Sequence, residues 1–225
     1  MQNNNNTEIE IKLSCPQNFN DIFAKNLNNF GTFEVIKNEQ INCLNTYFDT
    51  KKFDLKQQKT ALRFRKMHNI KSNQNNYFLT IKSSNLIDNQ RGLSNRKEFN
   101  LKVFTENINL QNHNDFLAKY IPNFSQVIPN LQAMFYTNFL RNTYLINYET
   151  LQIEIAIDNG KIYSDLITTK IYEISEIEME IIKGDNVDLL NKFADNLSNY
   201  FAQQKNIILT PLNDSKAKRG YSLFF

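Results

Sequence analysis

Tryptophan is absent from this chain, and cysteine and histidine occur only twice each. Cys15 and Cys43 are too few for a disulfide framework or a metal–thiolate cluster, so ordinary reduced thiols and a cytoplasmic location are expected. His68 and His113 fit no metal-ligand spacing, and nothing in the pattern supports Ser/His or Cys/His nucleophilic catalysis. There is no apolar run of the ~18 residues needed to cross a bilayer, so no membrane partner is expected. The opening Met1-Gln2-Asn3-Asn4-Asn5-Asn6 has neither a basic nor an apolar region, and no signal peptide is expected. Strong charge of one sign is also missing. The formal net charge is +3 and the pI is near 8.7, short of the basic stripe of a nucleic-acid binder.

What is present is enough for a core. Of 225 residues, 41% are hydrophobic, with 18 Phe and 10 Tyr. One barrel-like domain spanning 1–225 is the expectation. Strands are predicted at 7–13, 39–49, 59–66, 77–83 and 95–104, then a hairpin of 133–147 with 150–157, then 161–166 and 172–182. Residues 67–76 read as a polar turn, and a loop containing Arg91-Gly92 joins two strands. Helices are predicted from Pro16 to Phe30 with Gly31 as the stop, around Asn114–Tyr120, and from Val187 to Tyr200. Residues 121–132 read as a Pro-containing loop. Asp158-Asn159-Gly160 is the strongest hairpin-turn signal. The stretch from Asn213 to Tyr221 reads as a cap, a short helix and a glycine stop.

The most informative stretch is Glu8-Ile9-Glu10-Ile11-Lys12-Leu13. In a strand, its charged residues face one way and its aliphatic residues the other. The pattern recurs: Arg63 and Arg65 flank Phe64, Thr80 and Lys82 flank Ile81, Arg96 and Glu98 flank Lys97, and Glu176, Glu178 and Glu180 alternate with Ile177 and Met179. Any one such strand reads as a half-solvated sheet face. Taken alone, Lys12 with Glu10 reads as a surface ion pair worth ~0–1 kcal/mol. Recurrence over several strands points instead to a closed sheet with a charged interior and helices on its aliphatic outside.

Arg63, Arg65, Lys82, Arg96 and Lys216 on a tunnel wall suit a phosphate chain, because arginine presents a planar fork to paired oxygens and lysine a point charge. Glu8, Glu10, Glu178 and Glu180 do not. Two carboxylates about 4 Å apart repel by roughly 4 kcal/mol at an effective dielectric of 20. A divalent cation relieves that, and an all-oxygen donor set suits Mg²⁺ or Mn²⁺ better than zinc. The pattern supports metal-assisted phosphoryl chemistry.

These residues resemble the CYTH family, the triphosphate tunnel metalloenzymes. Glu8-x-Glu10-x-Lys12 matches its ExExK signature. Tyr47-Phe48-Asp49-Thr50, Leu62-Arg63-Phe64-Arg65, Thr80-Ile81-Lys82, Arg96-x-Glu98, the segment from Ile153 to Gly160, Glu178-x-Glu180 and the segment from Ser215 to Tyr221 follow in family order. The chain departs at Asn100, where many members have a further acid. The resemblance covers nearly the whole chain and is strongest to the bacterial inorganic triphosphatases. Some of those carry a histidine-rich helical domain downstream, which is not expected here.

The resemblance implies an α+β fold, an eight-stranded antiparallel β-barrel forming a triphosphate tunnel with helices packed on the outside. It implies Mg²⁺- or Mn²⁺-dependent hydrolysis of inorganic triphosphate, with a small-molecule substrate and a monomer or homodimer. The metal ligands would be Glu8, Glu10, Glu178, Glu180 and Asp158. The substrate would be held by Lys12, Arg63, Arg65, Lys82, Arg96, Arg141, Lys216 and Arg219, with Lys12, Glu154 and Asp158 in catalytic roles. Three other readings stand beside it: thiamine triphosphatase or class IV-type adenylyl cyclase chemistry on the same fold, a non-catalytic polyphosphate- or nucleotide-binding module, and a lipocalin-like carrier with an apolar interior.

Overall fold

The computed structural model describes residues 7–83 and 92–225. Eight antiparallel strands close into a ring: β1 (Thr7–Ser14), β2 (Glu34–Asp49), β3 (Thr60–Asn69), β4 (Gln74–Ser83), β5 (Leu93–Val103), β6 (Gln132–Tyr148), β7 (Leu151–Tyr163) and β8 (Tyr172–Lys183). The order around the ring is β1-β5-β4-β3-β2-β6-β7-β8, and β8 pairs back onto β1. Closure leaves no long unpaired edge. A two-residue strand, β9 (Thr210–Pro211), takes over the edge of β1 where β5 leaves it. There the Leu212 N–H donates to the Lys12 carbonyl at 2.9 Å. Gly92, at φ 77°, is pressed so close to that carbonyl that a Cβ would overlap it.

Strand alternation sorts the side chains as expected. Ile11, Leu13, Ile153, Ile155, Ile177 and Met179 face outward and are buried under α1 (Phe19–Asn26) and α5 (Val187–Lys205). Helix α5 presents Leu189, Leu190, Phe193, Ala194, Leu197 and Phe201 as one buried stripe, the three-four spacing of an amphipathic helix. Its N-cap, Asn186, accepts from the Leu189 N–H at 2.9 Å. A second outer core covers Leu62, Phe64, Leu79 and Ile81 of β3 and β4. It is formed by α2 (Asp54–Gln57), α3 (Asn114–Tyr120) and α4 (Phe124–Val127).

Several expectations are corrected. Helix α1 stops at Asn26, short of Phe30. The Asn26 side chain donates to the Ile22 carbonyl at 2.7 Å and accepts from Tyr200 at 2.8 Å, so it ends α1 and ties it to α5. The polar segment 67–76 is mostly strand, with only 70–73 turning. Arg91 lies outside the described residues. Asp158-Asn159-Gly160 makes no turn: all three sit inside β7, opposite Arg141, Leu140 and Phe139 of β6. Asp158 is held there by ion pairs, and a Cβ at Gly160 would overlap the Asn138 carbonyl. This glycine serves close strand approach, not chain reversal.

The last helix, α6 (Lys216–Tyr221), does not lie on the outside. It carries Lys216 and Tyr221 into the barrel, where Tyr221 meets a third core of Ile41, Cys43, Phe135, Phe139, Ile162 and Ile174. The lower interior is therefore apolar and plugged. Gly220 does not stop α6. It lies within the helix, where any side chain would run into the Phe135 ring.

Candidate active site

Above the plug the barrel encloses a cavity of about 840 Å³. Register fixes its wall. Glu10 of β1 pairs with Glu180 of β8, which pairs with Glu154 of β7, so three inward carboxylates form a row across adjacent strands. Glu8 lies two positions before Glu10 on the same face. On β3, Arg63 and Arg65 face into the same cavity, followed by Lys82 of β4 and Arg96 of β5.

Below the acidic row lies a buried charge network. Arg141 donates to both Asp158 oxygens at 2.7 Å and to Glu178 at 2.6 Å. Lys216 reaches Asp158 at 2.6 Å, Glu178 at 3.1 Å and Glu176. Arg219 closes on the other oxygen of Glu176. Lys12 bridges Glu178 at 2.8 Å and Glu10 at 3.4 Å. The pair is buried, inside the barrel and not on its surface. Burial alone would raise Asp158 and Glu178, but Arg141 and Lys216, with Lys12 at Glu178, outweigh it and hold both below the usual carboxylate range. Burial also opposes the charge on Lys12, and Glu10 and Glu178 overcome it, so Lys12 stays protonated.

Other charges in the cavity are not balanced in this way. Burial pushes Glu180 up to about 8, with Glu8 and Glu10 adding to the rise. Burial likewise raises Glu8 to about 7, against the pull of Lys82, which sits 2.8 Å away. Glu10 is the contrast: burial raises it, but Lys12 and Arg96 bring it down to about 2. Among the described residues, no ion pair holds Glu180. On the opposite wall, Arg65 has no carboxylate partner among the described residues and donates to Asn45 Oδ1 at 2.8 Å. Burial and neighbouring Arg63 lower its pKa. Arg63 meets Glu98 only at 3.7 Å. Under-compensated positive charge on β3 thus faces cavity-lining carboxylates of β1, β7 and β8, of which only Glu8 and Glu10 of β1 and Glu178 of β8 have ion-pair partners among the described residues.

The structure brings Glu8, Glu10, Lys12, Arg63, Arg65, Lys82, Arg96, Arg141, Glu154, Glu178, Glu180 and Lys216 to one cavity. It does not bring Asp158 or Arg219 there. Asp158 is fully buried beneath Arg141 and Lys216, and Arg219 reaches Glu176 instead. Carboxylate oxygens of Asp158, Glu176 and Glu178 lie within 4.8 Å of one another, but the Lys216 ammonium already joins all three. Sequence reasoning left Tyr47 and Lys56 out of the site, although both line the cavity. For Tyr47 the inward alternation of β2 was a usable signal. Lys56 lies on a helical turn that the sequence pattern did not reveal.

A family model described as CYTH domain matches residues 6–221. The chain belongs to the CYTH family. The inorganic triphosphatase of Haemophilus influenzae is 30% identical over 220 residues, covering 96% of this chain and 54% of that protein. The chain therefore spans about half the length of that CYTH relative. Among solved structures, HpAC1 from Hippeastrum, reported to have a dominant triphosphatase activity, superposes with a TM-score of 0.61 at 18% identity. The match covers 96% of this chain and 95% of HpAC1. The PH1819 protein of Pyrococcus horikoshii superposes with a TM-score of 0.57 at 13% identity, covering 96% and 98%. At these identities the structures speak for the fold, and they agree with the closed CYTH barrel described above. Among the described residues, no helix is long and apolar enough to cross a membrane.

Proposed function

We propose that this CYTH barrel hydrolyses inorganic triphosphate to pyrophosphate and phosphate with the help of Mg²⁺ or Mn²⁺, in a reducing, cytoplasmic setting. The observation that carries the reading is the pair of unbalanced walls, Arg63 and Arg65 facing Glu8, Glu154 and Glu180. A polyanion alone would satisfy one wall and repel the other. A polyanion with a divalent cation satisfies both. The donors fit such a cation: all are carboxylate oxygens, and burial without enough positive charge leaves Glu8 and Glu180 raised. Glu8, Glu10 and Glu180 would hold it, with Glu178 and Glu154 adjacent. Once bound, the ion supplies charge neutralisation at the phosphate oxygens.

The chain's own residues do the rest. Arg63, held only loosely by Glu98 at 3.7 Å, and Arg65, with no carboxylate partner among the described residues, grip phosphate oxygens with their planar forks. Lys82 and Arg96 bridge the two walls through Glu8, Glu98 and Glu10 and meet the charge that develops in the transition state. Glu154, beside Glu180, positions the attacking water. Asp158 acts at one remove by fixing Arg141 and Lys216. Water adds to the terminal phosphorus in line, and the bond to the bridging oxygen breaks to release pyrophosphate.

The test is phosphate release from triphosphate with Mg²⁺, with Mn²⁺ and with EDTA, in wild type and Glu10→Ala. Metal-dependent release that falls by about 10²-fold or more in the variant supports the reading. An unchanged rate in Glu10→Ala overturns the site. Faster turnover of ATP or thiamine triphosphate than of triphosphate reassigns the substrate.

A further inference from the structure

The cavity does not end at the Arg63–Arg65 wall. It continues to the mouth beside α2 and α6, where Lys56 and Lys218 are exposed and line it. Lys218 is paired to Asp214 at 2.6 Å. Lys56 stands on an aromatic seat. Its ammonium sits 3.6 Å from the centre of the Phe225 ring, 5.6 Å from that of Phe53 and 5.7 Å from that of Tyr221. Among the described residues no carboxylate pairs with it. Ring faces attract a cation without cancelling its charge. The seat is anchored. Asp49, fully buried, accepts from the Leu55 and Lys56 N–H groups at 2.9 and 3.0 Å and from the Tyr221 hydroxyl at 2.9 Å. Phe53, Phe224 and Phe225 pack edge-on or tilted around it.

A volume of about 840 Å³ lies toward the top of the range of about 300–1,000 Å³ that encloses whole drug-sized ligands. It exceeds what one linear triphosphate needs. We infer that Lys56, on its aromatic seat, is a mouth subsite for a further phosphate of a linear inorganic polyphosphate longer than three units. The inference rests on the proposed triphosphate site and extends it in length. A nucleobase is the less suited occupant, because Lys56 already sits over the Phe225 ring at 3.6 Å and competes with a base for that face.

The experiment compares triphosphate with tetrapolyphosphate and with ATP in wild type, Lys56→Ala, Lys56→Arg and Phe225→Leu. Hydrolysis is followed as KM and kcat, and binding by calorimetry without divalent metal. Lys56→Ala is expected to raise the ratio of tetrapolyphosphate to triphosphate KM about tenfold, the loss of about one charge-assisted contact. Lys56→Arg should restore the ratio and Phe225→Leu should raise it less. An unchanged ratio overturns the subsite. So does a loss confined to ATP, which would give the mouth to a nucleotide. If wild type hydrolyses neither chain, the triphosphatase reading fails but calorimetry still decides. A larger affinity loss for the longer chain in Lys56→Ala supports the subsite, and an equal loss refutes it.

Discussion

Without divalent metal the protein should lose stability as pH rises from about 6 to 9, and Glu180 is the main reason. In the unfolded chain its carboxyl titrates near 4.5, and in the barrel near 8. A group whose folded pKa is raised favours the folded state while protonated. The fold is therefore progressively disfavoured as pH climbs from 4.5 through about 8. For a lone group the full loss would be on the order of 5 kcal/mol. Glu8, raised to about 7, lies within coulombic reach of Glu180. One proton partly relieves both, so roughly 3 kcal/mol should be lost between pH 6 and 9. For a domain of this size that corresponds to a fall in Tm of about 6–12 °C. Saturating Mg²⁺ or Mn²⁺ should remove most of the fall. Glu180→Gln, uncharged at every pH, should flatten the metal-free profile. Thermal melts in EDTA at pH 6, 7.5 and 9 make the comparison. A flat wild-type profile, or equal slopes in wild type and Glu180→Gln, would show that these acids are not electrostatically frustrated.

Arg65→Met should raise the triphosphate KM by at least about tenfold yet leave Tm unchanged or higher, because it removes a half-buried charge that lacks a carboxylate partner among the described residues; a matching fall in Tm would mean that Arg65 is structural. Lys216→Ala should destabilise by roughly 3–5 kcal/mol in urea titrations, since Asp158, Glu176 and Glu178 lose their shared cation. A change in KM alone would restore Lys216 to a purely substrate-binding role. Gly160→Ala should cost several kcal/mol because its Cβ meets backbone, and it should give little soluble protein. In acid the sign reverses. Glu10, Asp158 and Glu178 are held low, so the stability they contribute is present above about pH 4.5 and should drain away as pH falls through their folded values, as read by urea unfolding at pH 5 and 3.

The ring of strands was legible because alternation survives in nearly every strand. Phe64 between Arg63 and Arg65 assigns both faces at once, and so does Ile11 between Glu10 and Lys12. Less legible were the features that depend on which strands meet. Glu154 carries no local sign that it stands level with Glu180 and Glu10, and only the register of β7 with β8 and of β8 with β1 reveals it. Asp158-Asn159-Gly160 has the composition of a turn, but cross-strand ion pairs and a tight approach to β6 keep it extended, so tertiary contacts override local preference. Lys216 and Arg219 read as a basic ending suited to phosphate. Their partners, Glu176 and Glu178, lie some forty residues earlier in the sequence, a distance that no motif spans.

The caging of Lys216 also bears on how the chain reaches its fold. Asp158, Glu176 and Glu178 stand on β7 and β8, yet the ammonium that joins them arrives with α6, after every strand of the ring has been made. The ring itself is closed by β1, the first strand, which must wait for β8. A growing chain can pair β1 with β5 early but cannot close the ring until β8 is made, and Glu176 and Asp158 lack their shared cation until α6 emerges. Assembly should be a late, concerted event with long-range contacts forming together, the kind of topology that folds slowly. A chain ended after Lys205 should show strand content without a cooperative thermal transition. Binding of a divalent cation could then partly substitute for the missing helix.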